Sequence, residues 1–529
     1  MNILTIERAA ELLEVDRKTV YKLIERDGLP AFKVGRQWRL RASDLEAWID
    51  GQVRARGAGA AYAVGQTALF AQRGEGSAAP RAPKLGFSDS AFTENADLPV
   101  HRWVPWIAGF SAKFVQEALD HYLPPDRSSG VPCVLDPFAG VGTTLFTAML
   151  SGCAVCGFEI NPYAAEACEL KLRAHAVPLD ELGRAIDGFE SSVGAAIGGG
   201  AEPLSKPPRN FTTRVPFFSA LVERKVLLAQ DYIAQIQQPL VRQCFRVALA
   251  SEIVGFSNYS YEPSLGTRAA AGKKDVTDAP VVQAVAGKLR QMLADIRSLQ
   301  RQTGKAGPQP HAAFFRGNFF ELHPQVPDQS VDLVVTSPPY LNNYHYIRNS
   351  RPQVYWLGLA ASPDDLRAVE EDSFGKFWQT VRCDAEVPLG FAMPELEEPL
   401  TLLRSRNASK GPYGGPGWAN YAATYFNDCR RFALILSRVL RPGGKAVVVL
   451  GNSILQGVEF RTDLLFGRIC ESCGLSLEEI VPLRKKRTGT SIINSSVRVG
   501  AATARTTLYE SAVVLGQGAE PADTLGGAP

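Results

Sequence analysis

The chain predicts an α/β protein, a mostly parallel sheet wound by helices on both faces and preceded by a small separate unit. Three stretches carry that reading. Residues 331–335 (VDLVV) form a short, mostly apolar strand of the kind buried on both faces of a parallel sheet, and it stops at Thr336-Ser337-Pro338-Pro339-Tyr340. Two consecutive prolines have no N–H for a ladder, so the chain leaves the sheet extended and stiff. A hydroxyl, a fixed carbonyl and a ring then sit at the carboxyl end of a strand, where open α/β sheets build sites. Residues 133–144 (CVLDPFAGVGTT) are a second apolar strand that runs through Asp136-Pro137-Phe138 into Gly140-x-Gly142 and a helical pattern. Glycines at such a turn let backbone N–H groups approach a ligand. Residues 154–158 are a third strand, ending in Glu159, and a carboxylate at that tip is the expected partner of two ribose hydroxyls.

The glycine loop lacks the third glycine of a dinucleotide fingerprint and the Gly-Lys-Ser/Thr of a phosphate loop, which argues against nicotinamide and ATP chemistry. At 529 residues the chain is too long for one compact domain, and its 45% apolar and 21% charged residues are those of a globular protein. Net charge is only +3, so a nucleic-acid surface has to come from local clustering. No apolar run reaches spanning length, and Glu7 and Glu11 stand where a signal peptide would be apolar, so a cytoplasmic protein without a membrane partner is expected. Nine cysteines in so long a chain make no disulfide scaffold. Cys153/Cys156 and Cys470/Cys473 have zinc-like spacing, but no histidine cluster accompanies either pair and no metal site is expected.

DPFAGVGTT together with TSPPY resembles the amino-methyltransferases of DNA, which move a methyl group from S-adenosylmethionine to an exocyclic base nitrogen. The resemblance covers most of residues 103–515 in scattered blocks, and the pair of motifs is specific. It implies a Rossmann-like methyltransferase sheet, with the cofactor on the glycine loop and a flipped base on the Pro-Pro-Tyr loop. On that reading Asp136 accepts from the cofactor's ammonium and Phe138 packs on its methionine or ribose portion. Gly140, Gly142 and Thr143 permit its close approach, Glu159 takes its ribose, and Asn318 loosely matches the position that contacts its adenine. Ser337, Pro338, Pro339 and Tyr340 are the candidate catalytic residues. Ser337 and the Pro338 carbonyl would hold the amine in line with the sulfonium, and Tyr340 would stack on the extruded ring. In that family the first loop residue is usually Asp or Asn for adenine N6 and Ser for cytosine N4, so Ser337 points to cytosine. The order glycine loop, insertion, Pro-Pro-Tyr loop differs from the permuted order of many cytosine-N4 enzymes, which keeps adenine N6 open. RNA methylation is a further enzyme alternative, and a DNA-binding regulator that senses the cofactor is the rival of another class.

Residues 1–52 read as a separate DNA-binding domain. Thr5 is expected to cap a helix with Ala9, Ala10, Leu12 and Leu13 on one face, and residues 17–24 start a second helix. Residues 31–40 alternate like a hairpin, and the layout resembles an excisionase-type winged helix-turn-helix. Arg17, Lys18, Lys22, Lys33, Arg36 and Arg39 are its candidate contacts to double-stranded DNA. Residues 53–95 read as a flexible Ala/Gly/Pro-rich linker, 96–517 as the methyltransferase domain and 518–529 as a disordered tail.

Within the large domain Trp103 and Trp106 precede the glycine loop, where the resembled family flanks the methionine end of the cofactor. Residues 180–310 read as a helical insertion with runs at 221–228, 231–249 and 281–301. A polar, aromatic loop from Asn258 to Arg268 is a candidate target-recognition element. Asn342-Asn343-Tyr344-His345-Tyr346 suits the lining of a base pocket. Residues 411–418 (GPYGGPGW) are expected to be irregular and a candidate lid, with a helix from Tyr425 to Leu440 beyond. Strands at 480–483 and 507–515 close the sheet, and Arg484, Lys485, Lys486 and Arg487 between them read as a phosphate-facing run, with no acid from Val481 to Tyr509. The resemblance leaves a cognate restriction endonuclease open as a partner.

Overall fold

The structure, a computed structural model, describes residues 3–6, 9–10, 20, 24, 29–34, 37–41, 87, 95–106, 109–123, 130–261, 265–304, 311–341, 346–486 and 508–518. The chain divides into two units, Met1–Lys84 and Leu85–Pro529.

In the first unit the strands Ile3–Thr5, Phe32–Val34 and Gln37–Arg41 form an antiparallel sheet with the last in the middle. The hairpin expected from the alternation is present, Phe32 opposite Arg39 and Val34 opposite Gln37. Thr5 ends the first strand opposite Arg39, and Ile6 directly after it is helical, so Thr5 stands at the helix start where the sequence places a cap. Leu4, Ile6, Ala9, Ala10, Val20, Leu29 and Leu40 make a small core. Of this unit's DNA candidates only the Arg39 side chain is described, and its guanidinium donates to the Trp38 carbonyl at 2.9 Å. Arg17, Lys18, Lys22, Arg36 and the Lys33 side chain lie outside the described residues, as do most of 53–95 and all of 519–529.

The second unit is built on seven strands: β1 (Cys133–Asp136), β2 (Ala154–Glu159), β3 (Ala312–Arg316), β4 (Val331–Thr336), β5 (Leu440–Gly451), β6 (Leu475–Lys486) and β7 (Leu508–Gln517). Their order is β6-β7-β5-β4-β1-β2-β3, and every neighbouring pair is parallel except those of β7. This is the expected mostly parallel, Rossmann-like sheet, its chain direction of growth reversing between β1 and β4. Pleating sends alternate residues to opposite faces. Leu333 and Val335 therefore join one core while Val334 joins the other. Asp332, the charged residue in that strand, accepts from the Cys133 N–H at 2.7 Å and pairs with Arg441 at 2.6 Å, so it clasps the strand starts.

One face carries α1 (Ala112–Tyr122), α2 (Thr143–Leu150), α3 (Pro162–Leu172) and the insertion helices α4 (Leu179–Gly198), α5 (Ala220–Gln235), α6 (Pro239–Glu252) and α7 (Val281–Thr303), followed by α8 (Tyr346–Trp356). The run expected at 231–249 is two helices. Pro239 has no N–H to continue α5, and instead it opens α6 with the Gln238 side chain accepting from Val241 N at 2.8 Å. The polar loop is a small hairpin, Tyr259–Tyr261 against Leu265–Thr267. Its tyrosines are structural: the Tyr259 hydroxyl accepts from Arg214 N, and the Tyr261 hydroxyl donates to the Asn349 carbonyl at 2.7 Å.

The other face carries α9 (Gly415–Val439) and α10 (Thr462–Ser472). The expected lid is the end of a 3-10 turn, Ala408–Tyr413, running through Gly414 into the start of α9. A Cβ on Gly415 would lie 1.8 Å from the Leu403 carbonyl oxygen and one on Gly417 2.0 Å from that of Pro412. The glycines thus serve close backbone approach, and buried Trp418 stacks on Trp378 at 5.0 Å.

Asp295, in the middle of α7 and 3% exposed, fastens the insertion to the segment before α1. Its carboxylate accepts from Val100 N at 3.0 Å, Trp103 Nε1 at 3.0 Å and the Arg102 guanidinium at 2.5 Å. These bonds hold Val100 at φ 67, a conformation a β-branched residue rarely takes. Removing one partner of a buried charge pair costs about 3–5 kcal/mol, so Asp295→Ala is expected to lose about 3 kcal/mol in urea unfolding. A loss under about 0.5 kcal/mol, the scale of an ordinary surface change, would contradict it.

Candidate active site

The site is assembled from strand ends. Asp136 closes β1 and Thr336 closes β4, its neighbour across the reversal of strand order. The Thr336 hydroxyl donates to Asp136 Oδ1 at 2.6 Å, and Phe138 N donates to the same oxygen at 3.1 Å. Thr144, in the first turn of α2, donates to the Val335 carbonyl at 3.1 Å. Burial pushes the Asp136 carboxyl up to about 6 against these hydrogen bonds. Glu159, at the end of β2, accepts from Gly140 N and Asn161 N, each at 2.7 Å. Burial, with a smaller push from Asp136, raises it to about 7.

These groups border a cleft enclosing about 1220 Å³, part of it open to solvent. Of the sequence candidates, Asp136, Phe138, Gly140, Thr143, Glu159, Asn318, Ser337, Pro339 and Tyr340 all line it. Two do not. Pro338 is buried. Gly142, at φ +83, lies against α3, where a Cβ would sit 2.7 Å from Cys168 Sγ, so its lack of a side chain serves packing. Gly140, at φ +52, lies beneath Trp106, 3.2 Å from the indole nitrogen to a would-be Cβ.

Phe138 is held edge-on by Phe374 and Phe432, centroids 5.4 Å away in each case. Asn318 also caps the turn Phe319–Leu322, its Oδ1 accepting from Phe320 N at 3.0 Å. The Ser337 hydroxyl lies 3.3 Å from the Val449 carbonyl, to which it donates, and 3.4 Å from the Tyr340 hydroxyl. Gly451 underlies Tyr340: a Cβ there would meet the ring at 3.3 Å. Burial holds the Tyr340 phenol far above its ordinary range, so it is a neutral donor.

The sequence reading missed part of the wall. Asn161 lines the cleft while capping α3 through Tyr163 N at 3.1 Å, which the Asn-Pro pair at a helix start signals. Phe374, Lys376 and Phe377 come from a turn between β4 and β5 in which Gly375 and Lys376 both have positive φ. Nothing local in their sequence marks them. Residues 342–345 lie outside the described residues.

Arg484 is not a phosphate ligand in waiting. Its guanidinium grips Glu510 bidentately, at 2.7 and 3.1 Å, across the β6–β7 ladder. The acid-free window read from the sequence stops one residue short of that partner. Arg487 and the side chains of Lys485 and Lys486 lie outside the described residues. Among the described residues no three His, Cys, Asp or Glu come together to hold a metal ion, and no helix is long and apolar enough to cross a membrane.

Comparison with known proteins agrees with both units. Residues 3–53 match the family described as helix-turn-helix domain. The chain is similar to the type II methyltransferase M.AvaI of Nostoc sp. and of Anabaena variabilis, 22% identical over 418 residues that cover 74% of this chain and 82% of each relative. It is similar also to the type II methyltransferase M.BsoBI of Geobacillus stearothermophilus, 23% identical over 441 residues, 76% and 83% of the two chains. A solved rRNA methyltransferase, aviRa from Streptomyces viridochromogenes, overlaps 80% of this chain and 92% of its own at 11% identity and a TM-score of 0.27, too loosely to bear on substrate.

A methyl at position 142 meets both a left-handed backbone and Cys168, so Gly142→Ala is expected to lose about 2 kcal/mol of folding stability, within the usual range for forced backbone strain. Wild-type stability in thermal unfolding would contradict this.

Proposed function

We propose that this chain is a DNA methyltransferase that uses S-adenosylmethionine and methylates an exocyclic base amine, cytosine N4 by the Ser337 criterion. The observation that carries the proposal is the junction of Thr336 with Asp136, which makes the Ser-Pro-Pro-Tyr loop and the two strand-end carboxylates walls of one cleft. The donor set suits the cofactor: Asp136 for its ammonium, Glu159 for its ribose hydroxyls, and Phe138 for its apolar portion. The cofactor supplies an electrophilic methyl on a sulfonium. The chain's own task is to make a poor nucleophile competent. An exocyclic amine has its lone pair delocalised into the ring, and acceptors on the Ser-Pro-Pro-Tyr loop, Ser337 Oγ in the cleft wall foremost, take its N–H bonds and turn the lone pair toward the methyl group. Alignment supplies much of the rate. Tyr340, backed by Gly451, offers the face on which an extruded base stacks.

The unpermuted motif order favours a second reading, adenine N6, in which the same loop holds the adenine amine. The helix-turn-helix unit tethers a second DNA contact to the enzyme and raises its local concentration near DNA. The type II relatives make a cognate restriction endonuclease the protein partner to look for.

Base–aromatic stacking contributes about 1–3 kcal/mol, so Tyr340→Ala is expected to slow methyl transfer by about two orders of magnitude while cofactor affinity, read by calorimetry, stays within about twofold. Ser337→Ala, losing one hydrogen bond, is expected to cost roughly tenfold. Wild-type turnover in the Tyr340 variant would sink the assignment. The Glu159 carboxyl, held up to about 7 by burial, is largely neutral below that pH, and its ionised form is the better acceptor for ribose hydroxyls. Cofactor affinity is therefore expected to rise with pH through about 7, by no more than about tenfold per unit, and Glu159→Gln to flatten the profile. A flat wild-type profile between about pH 6 and 8 would contradict that role.

A further inference from the structure

A second cleft, about 1300 Å³ of partly open space, lies between the insertion and the end of α8. Lys206, Arg209, Arg242 and Arg246 line it, and no carboxylate is among its described lining residues. Arg246 is committed to Glu166 through bonds of 2.6 and 3.0 Å. The other three have no carboxylate partner among the described residues, and Lys206 and Arg209 are exposed. The segment that bears them is tied down at both ends. Asp231 accepts from Leu204 N and Ser205 N, each at 2.7 Å, and Asn210 Nδ2 donates to the Ala361 carbonyl at 2.6 Å. Tyr355 and Trp356 also line the cleft, 3% and 4% exposed, and among the described residues their hydroxyl and indole N–H have no hydrogen-bond partner. Three uncommitted cations on a fixed support call for an anion.

The same helix reaches the active site. Tyr346 and Ile347, its first residues, line the catalytic cleft, and Tyr355 and Trp356, its last, line this one. Eight residues of helix from Ile347 to Tyr355 span about 12 Å. A DNA strand presents one phosphate per roughly 3.4 Å of axis, so the separation corresponds to three or four nucleotides, give or take about one.

We propose that this cleft is a phosphate site for the backbone of the substrate duplex, set three to four nucleotides from the flipped base with α8 as the rigid spacer; the inference rests on the DNA methyltransferase reading above. Contacts of this kind position the duplex and carry no sequence information. The insertion thus acts as a register clamp.

The test uses the full chain, so that the N-terminal unit contributes equally throughout. Duplex affinity is measured against salt for wild type, for the exposed pair Lys206→Ser with Arg209→Ser, and for the triple variant that adds Arg242→Gln. Each lost phosphate contact removes about 0.9 from the slope of log K against log salt, so the pair is expected to lose about 2 and the triple about 2.7. Affinity for target and non-target duplexes should fall alike, and an unaltered cofactor dissociation constant certifies the fold. A wild-type slope in both variants, or a loss confined to one sequence, would overturn the phosphate site. A wild-type chain that neither binds nor methylates DNA would instead overturn the reading beneath it.

Discussion

The hydroxyl of Thr336 and the carboxylate of Asp136 meet at 2.6 Å across the point where the order of the sheet reverses, and the rest of the site depends on that bond. A hydrogen bond to a charged group contributes about 1.5–3 kcal/mol, and this one also fixes position. It locks the register of two loops 200 residues apart in the chain. One loop leaves β1 through Pro137 and Phe138, the other leaves β4 through two prolines, and neither can rearrange without breaking it. The carboxylate is buried and raised to about 6, so the fold holds a group whose charge a bound cation would favour.

Around that junction the pleat of β4 divides the protein. Leu333 and Val335 belong to the core shared with the insertion, and Val334 to the core shared with α9 and α10. The cleft opens at the carboxyl edge between the two, so each half lends it a wall: Trp106 and Ile347 from the first, Phe319 and Phe374 from the second. A change in either core reaches the site through packed side chains.

How much of this was legible in the sequence follows from how local each cause is. The strands, the glycine turn, Glu159 and the Ser-Pro-Pro-Tyr exit are written in neighbouring residues, and the structure brings nearly all of them into one cleft. Gly142 looked like a ligand glycine because its true constraint, Cys168, sits on another helix. Arg484 looked free because its partner Glu510 is supplied by strand register. Phe374, Lys376 and Phe377 carried no signal, since only tertiary packing turns their loop toward the cleft. The glycines of residues 411–418 suggest an irregular lid, although the close contacts at Gly415 and Gly417 show a helix start pressed against its neighbours. The break before α6 was available in Pro239 itself, and the apolar periodicity on either side masked it.

The central claim, methylation of an exocyclic amine in DNA, is tested most directly by mass spectrometry of nucleosides from plasmid DNA co-expressed with the chain in a methylation-deficient host. The account expects N4-methylcytosine. N6-methyladenine would retain the chemistry of the Ser-Pro-Pro-Tyr loop and move the base. Neither modified nucleoside, in a chain that still binds both DNA and cofactor, would contradict the account.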